Sequence, residues 1–488
     1  MFRAIRRLAK HSVIYGIGHI LSRSIGFLLL PIHTTYLSPE EYGVTTLLFS
    51  SMAILNVVFS YGLDVAFLRF FILAKSRREK EKVFSTAYWM LFSTGFLFSI
   101  LVFLFPSFFG MLIFRTNQYE ALIRLSAGIL FADVLRLLPF LLLRGEEKSI
   151  QFVTLNTANI VLTLVLNILF VAVLKKGVYG VFVSNFLASG ATLLLVFPIF
   201  QKWLRKQFSS QMLGELLRFG LPYVPSGLAV VIMDQISRFF IDRMMGKAAT
   251  GIFSAGYKLG MFMALVVAAF RFAWHPFFLS TSKEKEAPQI FARILTYFLL
   301  LTGFLMVGFS LFVNEIVKIR LFGVWLFGKA YTNGLVIVPI VLLAYIFYGA
   351  YANFVVGIYL KKKTGWLPFV TGLGALVTIL ANWLLIPLFG ISGAAWATCL
   401  GYGTMAIALY WVNQRLYPIP YEFGRMAKIV LILGMGYALG KESMALGYGW
   451  MRGVCLLALP LLFFLFRFFE KREMEILRTQ IRRWYKKI

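Results

Sequence analysis

The chain has 488 residues, of which 60% are hydrophobic and 14% are charged, whereas soluble domains carry about 25% charged residues. A water-soluble fold could not hide so much apolar surface, because much of any globule's surface faces water. The 49 Lys and Arg against 20 Asp and Glu give a net charge of +29, a balance that nucleic-acid-binding proteins also show. In a membrane protein the same excess collects in the cytoplasmic loops, so we predict a polytopic membrane protein with no nucleic-acid partner.

Cysteine and histidine usage argues against a metal centre or a disulfide framework. Cys399 and Cys455 both lie within apolar runs, and the four histidines are spread along the chain. The sequence contains no Walker A pattern for ATP hydrolysis. We therefore expect no cofactor, no metal, no catalytic residues and no enzymatic activity.

Fourteen apolar segments are long enough to cross a bilayer as helices. They lie near residues 12–36, 42–70, 84–105, 119–143, 150–174, 178–200, 214–241, 250–278, 290–313, 334–360, 366–386, 391–413, 426–440 and 450–468. The first segment is basic and then apolar, like a signal peptide, but its length and the lack of a cleavage site favour a permanent helix. The thirteenth is the weakest, because Gly434, Gly436 and Gly440 interrupt it, and whether it crosses completely stays open.

The Lys and Arg residues outside these spans are divided unevenly between the two sides of the membrane. With the amino terminus inside, thirty fall on the cytoplasmic side and nine on the other. Because positive residues accumulate in cytoplasmic loops, both termini are predicted to be cytoplasmic. The basic tail, residues 470–488, is predicted to lie on the anionic inner leaflet.

The two halves of the chain resemble each other. At an offset of 208 residues, Lys10 matches Arg218, Tyr15 matches Tyr223, and the segment 42–44 matches 250–252. Thr163 and Asn167 match Thr378 and Asn382 at an offset of 215, and 177–180 matches 390–393 at 213. Six spans return the chain to its starting side, so the repeats are parallel and related by an axis along the membrane normal, as in some transporters.

These observations predict an all-α fold with about 14 transmembrane helices. Two six-helix bundles, residues 1–208 and 209–415, are followed by two additional helices in residues 416–469 and by the basic tail. Pro222 and Pro225 are predicted to bend the seventh span.

Two stretches of sequence carry a family resemblance. The first resembles the opening of the bacterial polysaccharide-biosynthesis flippases. It consists of YGIGHILSRSIGFLLLPIHTTYLSPEEYG (Tyr15 to Gly43) and YGLDVAFLRFF (Tyr61 to Phe71). The second stretch resembles segments in the second half of the sequences of that family. It consists of RFFIDRMMGKAATGIFSAGYKLG (Arg238 to Gly260) and FAWHPFF (Phe272 to Phe278).

The resemblance places the chain among the O-antigen and capsule repeat-unit flippases of the multidrug, oligosaccharidyl-lipid and polysaccharide exporter superfamily. It implies that undecaprenyl-pyrophosphate-linked sugars move from the inner to the outer leaflet by alternating access. It also implies polysaccharide polymerases and glycosyltransferases as partners of the same system. The matching motifs are structural, so they do not identify the glycan.

Charged residues inside the spans are expensive in lipid and therefore mark candidate functional positions. Arg23 shares a face of the first span with His19; it either caps carbonyl groups between helices or contacts an anion in a cavity. Arg271 has no acid within one helical turn, and Lys258 and Arg238 are further candidate cations. These five residues, His19, Arg23, Arg238, Lys258 and Arg271, are the predicted substrate-binding residues.

Three acids lie deep in the spans and are candidates for ion coupling: Asp64, Asp133 and Asp234. Asp133 and Arg136 are three residues apart and can form an intrahelical pair, and Asp234 and Arg238, four apart, can neutralise each other. Because ten Lys and Arg lie in the spans against these three acids, the balance favours an anionic substrate.

Three alternatives remain open at the level of sequence. A multidrug or cation-coupled antiporter of the same superfamily would need acids to bind its cation. A lipid II flippase would carry a related lipid. A membrane polymerase or ligase would ordinarily need a large outer loop, whereas the longest here is near residues 314–333.

Overall fold

A computed structural model gives the fold and describes residues 25–321, 323–446, 448–470 and 473. Most of the first half is helical. Its helices are α1 (Ile25–Tyr36), α2 (Pro39–Ser60), α3 (Leu63–Leu73), α4 (Arg77–Leu104), α5 (Pro106–Phe114), α6 (Glu120–Gly145), α7 (Ser149–Asn167, continued by the π-helical Ile168–Val173) and α8 (Gly177–Phe200).

The second half repeats this arrangement and adds two helices. Its helices are α9 (Ser210–Gly220), α10 (Val224–Met245), α11 (Lys247–Gly260), α12 (Phe262–Thr281), α13 (Ala287–Ile316), α14 (Val338–Phe354), α15 (Val356–Leu360), α16 (Trp366–Leu416), α17 (Phe423–Ala445) and α18 (Met451–Leu465). A short antiparallel hairpin, β1 (Arg320–Leu321) and β2 (Val324–Trp325), precedes a 3₁₀ segment, Lys329–Ile337. The bend predicted from Pro222 and Pro225 is present as a 3₁₀ turn, Leu221–Tyr223, between α9 and α10.

Each of the fourteen predicted spans contains an apolar helix. Eleven helices in the described ranges are long and apolar enough to cross a membrane. α16 has 51 residues, about 77 Å at 1.5 Å per residue, which is more than twice the hydrocarbon thickness. It breaks at Gly390, where φ is 56° and ψ is −134°, and so accounts for two spans. The shorter α1 and α18 complete the set, which confirms a multi-pass membrane fold that is helical in most of its described residues.

The start of α2 illustrates how the sequence sets a helix boundary. Ser38 Oγ accepts a hydrogen bond from the backbone N–H of Glu41, and the Glu41 carboxylate accepts one from the N–H of Ser38. Pro39 occupies the first turn, where no N–H is needed. This reciprocal cap satisfies two of the otherwise unpaired N–H groups at the helix start.

Alternate connections meet at the same end of the helices. We call the end formed by residues 74–76, 146–148, 201–209, 282–286, 361–365 and 417–422 the basic end, because these segments and their flanks are rich in Lys and Arg. There Arg205 pairs with Glu81 at 2.9 Å. At the opposite end, Tyr331 donates a hydrogen bond to the carbonyl of Leu37.

Matching contacts in the two halves support the internal repeat. Asn167 Nδ2 donates to the carbonyl of Thr163, and Asn382 Nδ2 donates to the carbonyl of Thr378, both at 2.8 Å. Gly177 and Gly390, which the repeat also aligns, have φ values of 55° and 56°. Duplicated sequence therefore forms duplicated local structure.

The repeat-related helices α2 and α11 pack against each other near the opposite end. A Cβ on Gly43 would overlap the carbonyl oxygen of Lys247, and a Cβ on Gly251 would overlap that of Pro39. Ser254 Oγ donates to Thr46 Oγ1 at 3.1 Å, and these two residues are 208 positions apart. These contacts hold the repeat-related segments of α2 and α11 directly against each other.

The last two helices pack on α13 and are tied to it by ion pairs at the basic end. Arg425 contacts Glu422 at 3.1 Å and Glu473 at 3.0 Å, and Arg293 contacts Glu470 at 3.0 Å. Burial opposes ionisation of Glu473, but hydrogen bonds from the Glu470 N–H, Tyr297 and Arg425 outweigh it and lower the pKa of Glu473. The predicted basic tail beyond this point lies outside the described residues.

Candidate functional site

A cavity of about 390 Å³ lies in the second half, between α12, α14, α15 and the start of α16. It is lined by Ala268, Arg271, Phe272, Trp274, His275, Phe278, Tyr351, Ala352, Val355, Tyr359 and Leu367. We call it the tyrosine cavity. Tyr359 and Leu367 flank the loop 361–365, so the cavity lies toward the basic end.

Arg271 is the charged group of the tyrosine cavity. Its guanidinium donates a hydrogen bond to the hydroxyl of Tyr348 and lies 5.0 Å from the centre of that ring. The side chain is nevertheless solvent-accessible. None of the described lining residues is acidic, so the positive charge meets only aromatic and neutral polar groups.

His275 lies one turn beyond Arg271 on the same face of α12. Its ring packs edge-on against Tyr359, with the ring centres 5.2 Å apart, and against Phe278 at the same distance. The aromatic walls exclude water from one side of the cavity and leave the cation to attract an anion. The cavity is therefore suited to a partly apolar ligand with negative charge.

Lys258 lies elsewhere, between the two halves. Its ammonium group is 5.5 Å from the centre of the Tyr42 ring in α2. A Cβ on Gly26 of α1 would be 3.8 Å from Lys258 Cε. The lysine thus reaches the first half of the chain, and it does not line the tyrosine cavity.

Asp234 is the centre of a partly buried hydrogen-bond network. Its Oδ1 accepts from Tyr257 at 2.7 Å and from Tyr345 at 2.6 Å, and its Oδ2 accepts from Gln235 at 2.8 Å. Gln235 in turn accepts from Ser50 of α2 at 2.8 Å, which connects the network to the first half.

The expected side-chain pair of Asp234 with Arg238 is not formed. Arg238 is buried and donates instead to the backbone carbonyl of Asp234 at 2.6 Å, and its guanidinium lies 4.9 Å from the centre of the Tyr257 ring. Tyrosine hydroxyls satisfy the carboxylate, so the arginine turns to the helix backbone and the aromatic ring. Arg238 does not line the tyrosine cavity.

The remaining predicted residues are scattered. Arg136 Nη2 lies 3.1 Å from Asp133 Oδ1, as their spacing predicts. Asp64 is exposed near the start of α3. Arg23 and His19 lie outside the described residues. Of the three predicted binding residues that the structure describes, Arg271 lines the tyrosine cavity, and Arg238 and Lys258 do not.

Sequence reasoning missed the tyrosines around Arg271. Tyr345, Tyr348 and Tyr351 are spaced three apart on α14 and so share one face of that helix. Three tyrosine hydroxyls on one face of a span indicate that this face is turned toward other polar groups, because each buried hydroxyl needs a hydrogen-bond partner. The spacing could have identified α14 as a cavity wall.

Comparisons with known proteins point to a single family. A family model described as "Polysaccharide biosynthesis protein" matches residues 8–282. "Lsg locus putative protein 1" of Haemophilus influenzae is 23% identical over 294 residues, which cover 57% of this chain and 68% of that protein.

Solved structures of low sequence identity share the fold. The lipid II flippase MurJ, in an inward closed conformation, superposes with a TM-score of 0.74 at 15% identity, over 92% of this chain and 98% of MurJ. An inward-facing multidrug resistance MATE family transporter gives a TM-score of 0.66 at 14% identity, over 83% and 95% of the two chains. An outward-facing one gives 0.59 at 15%, over 86% and 96%.

Proposed function

The chain belongs to the polysaccharide biosynthesis protein family, and from this premise we propose that it is a flippase for undecaprenyl-pyrophosphate-linked oligosaccharide or polysaccharide repeat units. It moves them from the inner to the outer leaflet of a bacterial inner membrane by alternating access. The observation that carries the proposal is Arg271, which is accessible in the tyrosine cavity with no acid among the described lining residues.

The charge of the substrate explains why such an arginine is needed. A diphosphate in the bilayer interior would be prohibitively costly without compensating positive groups. Arginine suits phosphate because its planar fork donates two parallel hydrogen bonds. A single accessible guanidinium lowers the barrier without holding the anion so tightly that it is never released.

The position of the cavity fits an inner-leaflet substrate. The excess of Lys and Arg supports a cytoplasmic location for the basic end, with both termini inside. The tyrosine cavity lies toward that end, while the α2–α11 crossing closes the other. The described conformation corresponds to one that accepts substrate from the inner leaflet.

In this proposal the cations have different roles. Arg271 contacts the diphosphate, and Lys258 attracts it from between the halves. Arg23 and His19 of the first span contribute from the first half. Arg238 joins only in a conformation in which it leaves the Asp234 carbonyl.

The halves 1–208 and 209–415 act as the two moving bundles. Relative rotation of the bundles opens the cavity alternately to each side. Glycosyltransferases supply the lipid-linked substrate on the inner side, and a polymerase consumes it outside. Asp64, Asp133 and Asp234 are the candidates for coupling transport to an ion gradient.

A cation-coupled antiporter is the second candidate, and one observation favours it. Asp234 is a partly buried carboxylate within a network that joins α2 to α10, α11 and α14, and an acid within a membrane span can bind a proton or a cation during transport. A flippase driven by an ion gradient would use the same residue.

Replacement of Arg271 tests the flippase proposal. We expect Arg271→Ala to abolish glycan export at matched protein abundance, and Arg271→Lys to retain part of it, because lysine keeps the charge but loses the fork. Surface glycan measured by immunoblot gives export. Arg320→Ala is the matched control, because Arg320 is exposed on β1 and stacks only on Trp325. Normal export by the Arg23→Ala, Arg271→Ala double variant would remove both residues from the mechanism.

A further inference from the structure

A second cavity, of about 360 Å³, lies in the first half between α2, α6 and α7. It is lined by Asn56, Ser60, Asp133, Val134, Arg136, Leu137, Phe140, Leu141, Arg144, Phe152 and Asn156. We call it the amide cavity. Its amides, Ser60 and Arg144 have no role in the function proposed above.

The amide cavity and the tyrosine cavity are equivalent positions of the internal repeat. Adding 215 to the residue numbers of Arg136, Phe140, Arg144 and Phe152 gives Tyr351, Val355, Tyr359 and Leu367, all of which line the tyrosine cavity. Adding 208 to Ser60 gives Ala268, another of its lining residues. The two cavities are therefore related by the duplication, and each lies toward the basic end.

Their chemistry has diverged. In the amide cavity, Asp133 Oδ1 contacts Arg136 at 3.1 Å and accepts from Ser189 at 3.0 Å, so these two opposite charges neutralise each other. Asn56, Ser60 and Asn156 add neutral groups that can both donate and accept. Arg144 lies at the mouth and is exposed.

The apolar part of the wall is aromatic. Phe140 and Phe152 pack edge to face, with the ring centres 5.6 Å apart. Asn156 Nδ2 donates to the carbonyl of Phe152 at 3.1 Å, which fixes the orientation of its amide. The cavity thus presents oriented polar groups beside two aromatic rings.

We propose that the amide cavity is a carbohydrate subsite that binds the hydroxyl groups of the glycan. A sugar hydroxyl donates one hydrogen bond and accepts others, so it needs partners of both kinds, whereas a phosphate needs donors only. The apolar faces of sugar rings pack on the phenylalanines. This inference rests on the proposed function, in which Arg271 holds the diphosphate in the repeat-related cavity.

Binding of two lipids to the purified full-length protein tests whether the diphosphate and the glycan occupy different cavities. The probes are undecaprenyl diphosphate and the lipid-linked oligosaccharide extracted from cells that make the glycan. The Asn56→Ala, Asn156→Ala double variant leaves the charge of the cavity unchanged. We expect this variant to bind the lipid-linked oligosaccharide about tenfold more weakly, because two hydrogen-bonding amides are lost. We expect it to bind undecaprenyl diphosphate as tightly as the unaltered protein does.

Two further variants complete the design. Arg271→Ala is expected to weaken binding of both lipids, because both carry the diphosphate. Asn185→Ala is the matched control: Asn185 also donates to the carbonyl four residues earlier, at 2.8 Å, but lies on α8 and does not line the amide cavity. It is expected to bind both lipids normally.

The other possible outcomes of these binding measurements would contradict either the carbohydrate subsite or the flippase proposal. Equal weakening of both lipids by the double variant would overturn the carbohydrate subsite, and so would unchanged binding of the lipid-linked oligosaccharide. If the unaltered protein bound neither lipid, the proposed flippase function itself would fail, and this inference with it. If the unaltered protein bound undecaprenyl diphosphate and the lipid-linked oligosaccharide with equal affinity, the carbohydrate subsite would be overturned but the flippase proposal would not.

Discussion

One partly buried carboxylate shows how this protein accommodates acidic side chains within a membrane span. Asp234 accepts hydrogen bonds from Tyr257, Tyr345 and Gln235. Hydrogen bonds from hydroxyls to a carboxylate are about twice as strong as those between neutral groups. The three donors therefore offset much of the cost of burying the charge.

The three hydrogen bonds to Asp234 lead to a prediction for Asp234→Asn. An amide oxygen is a weaker acceptor, and the amide nitrogen would face the donor group of Gln235. We expect the melting temperature of the purified protein to fall by a few degrees, as the loss of about 1 to 2 kcal/mol implies. Asp64→Asn, at an exposed position, is the control and is expected to melt normally. An unchanged melting temperature for Asp234→Asn would mean that these hydrogen bonds do not stabilise the fold.

At the level of helices, the crossing of α2 and α11 is the contact that must break if the opposite end opens. Gly43 and Gly251 let the two backbones approach so closely that neither position has room for a Cβ. Small residues permit such close packing in membranes, where apolar association alone gives little specificity. The hydroxyl pair Thr46 and Ser254 lies at the same crossing.

A disulfide across this crossing would prevent the opening. The Thr46→Cys, Ser254→Cys double variant, with Cys399 and Cys455 replaced by alanine, places two thiols where the hydroxyl oxygens are 3.1 Å apart. We expect oxidation to stop glycan export and a reductant to restore it. Each single-cysteine variant should be insensitive to oxidant. Full export by the oxidised, cross-linked protein would show that the crossing does not open during transport.

For the whole molecule, the distribution of charge predicts the orientation in the membrane. The basic end carries most of the Lys and Arg outside the spans, and cytoplasmic loops collect such residues. The anionic inner leaflet attracts the same charges. In this orientation the tyrosine and amide cavities both lie toward the inner leaflet, from which the proposed substrate would be taken.

Cysteine labelling checks the orientation directly. Glu40 and Lys362 are exposed at opposite ends of the molecule. Both variants are made in a protein whose Cys399 and Cys455 are replaced by alanine. In intact spheroplasts, we expect a membrane-impermeant maleimide to label the Glu40→Cys variant. The Lys362→Cys variant should react only after the cells are opened. Labelling of Lys362→Cys from outside would reverse the orientation and place both cavities on the outer side.

The sequence by itself determined the helical class and the approximate number of spans, and it revealed the similarity between the two halves. These properties depend on hydropathy and on motifs that are read along the chain, so they need no knowledge of which helices touch. The pair of Asp133 and Arg136 was predictable for the same reason, because residues three apart share a face of any helix.

Only the tertiary structure decided the contacts between helices. Asp234 was expected to pair with Arg238, but it binds Tyr257 and Tyr345, which lie on two other helices. The tyrosines around Arg271 and the two repeat-related cavities likewise come from spans far apart in sequence. The physical reason is that lipid-facing and helix-facing surfaces are both apolar, so hydropathy identifies a span but not its neighbours.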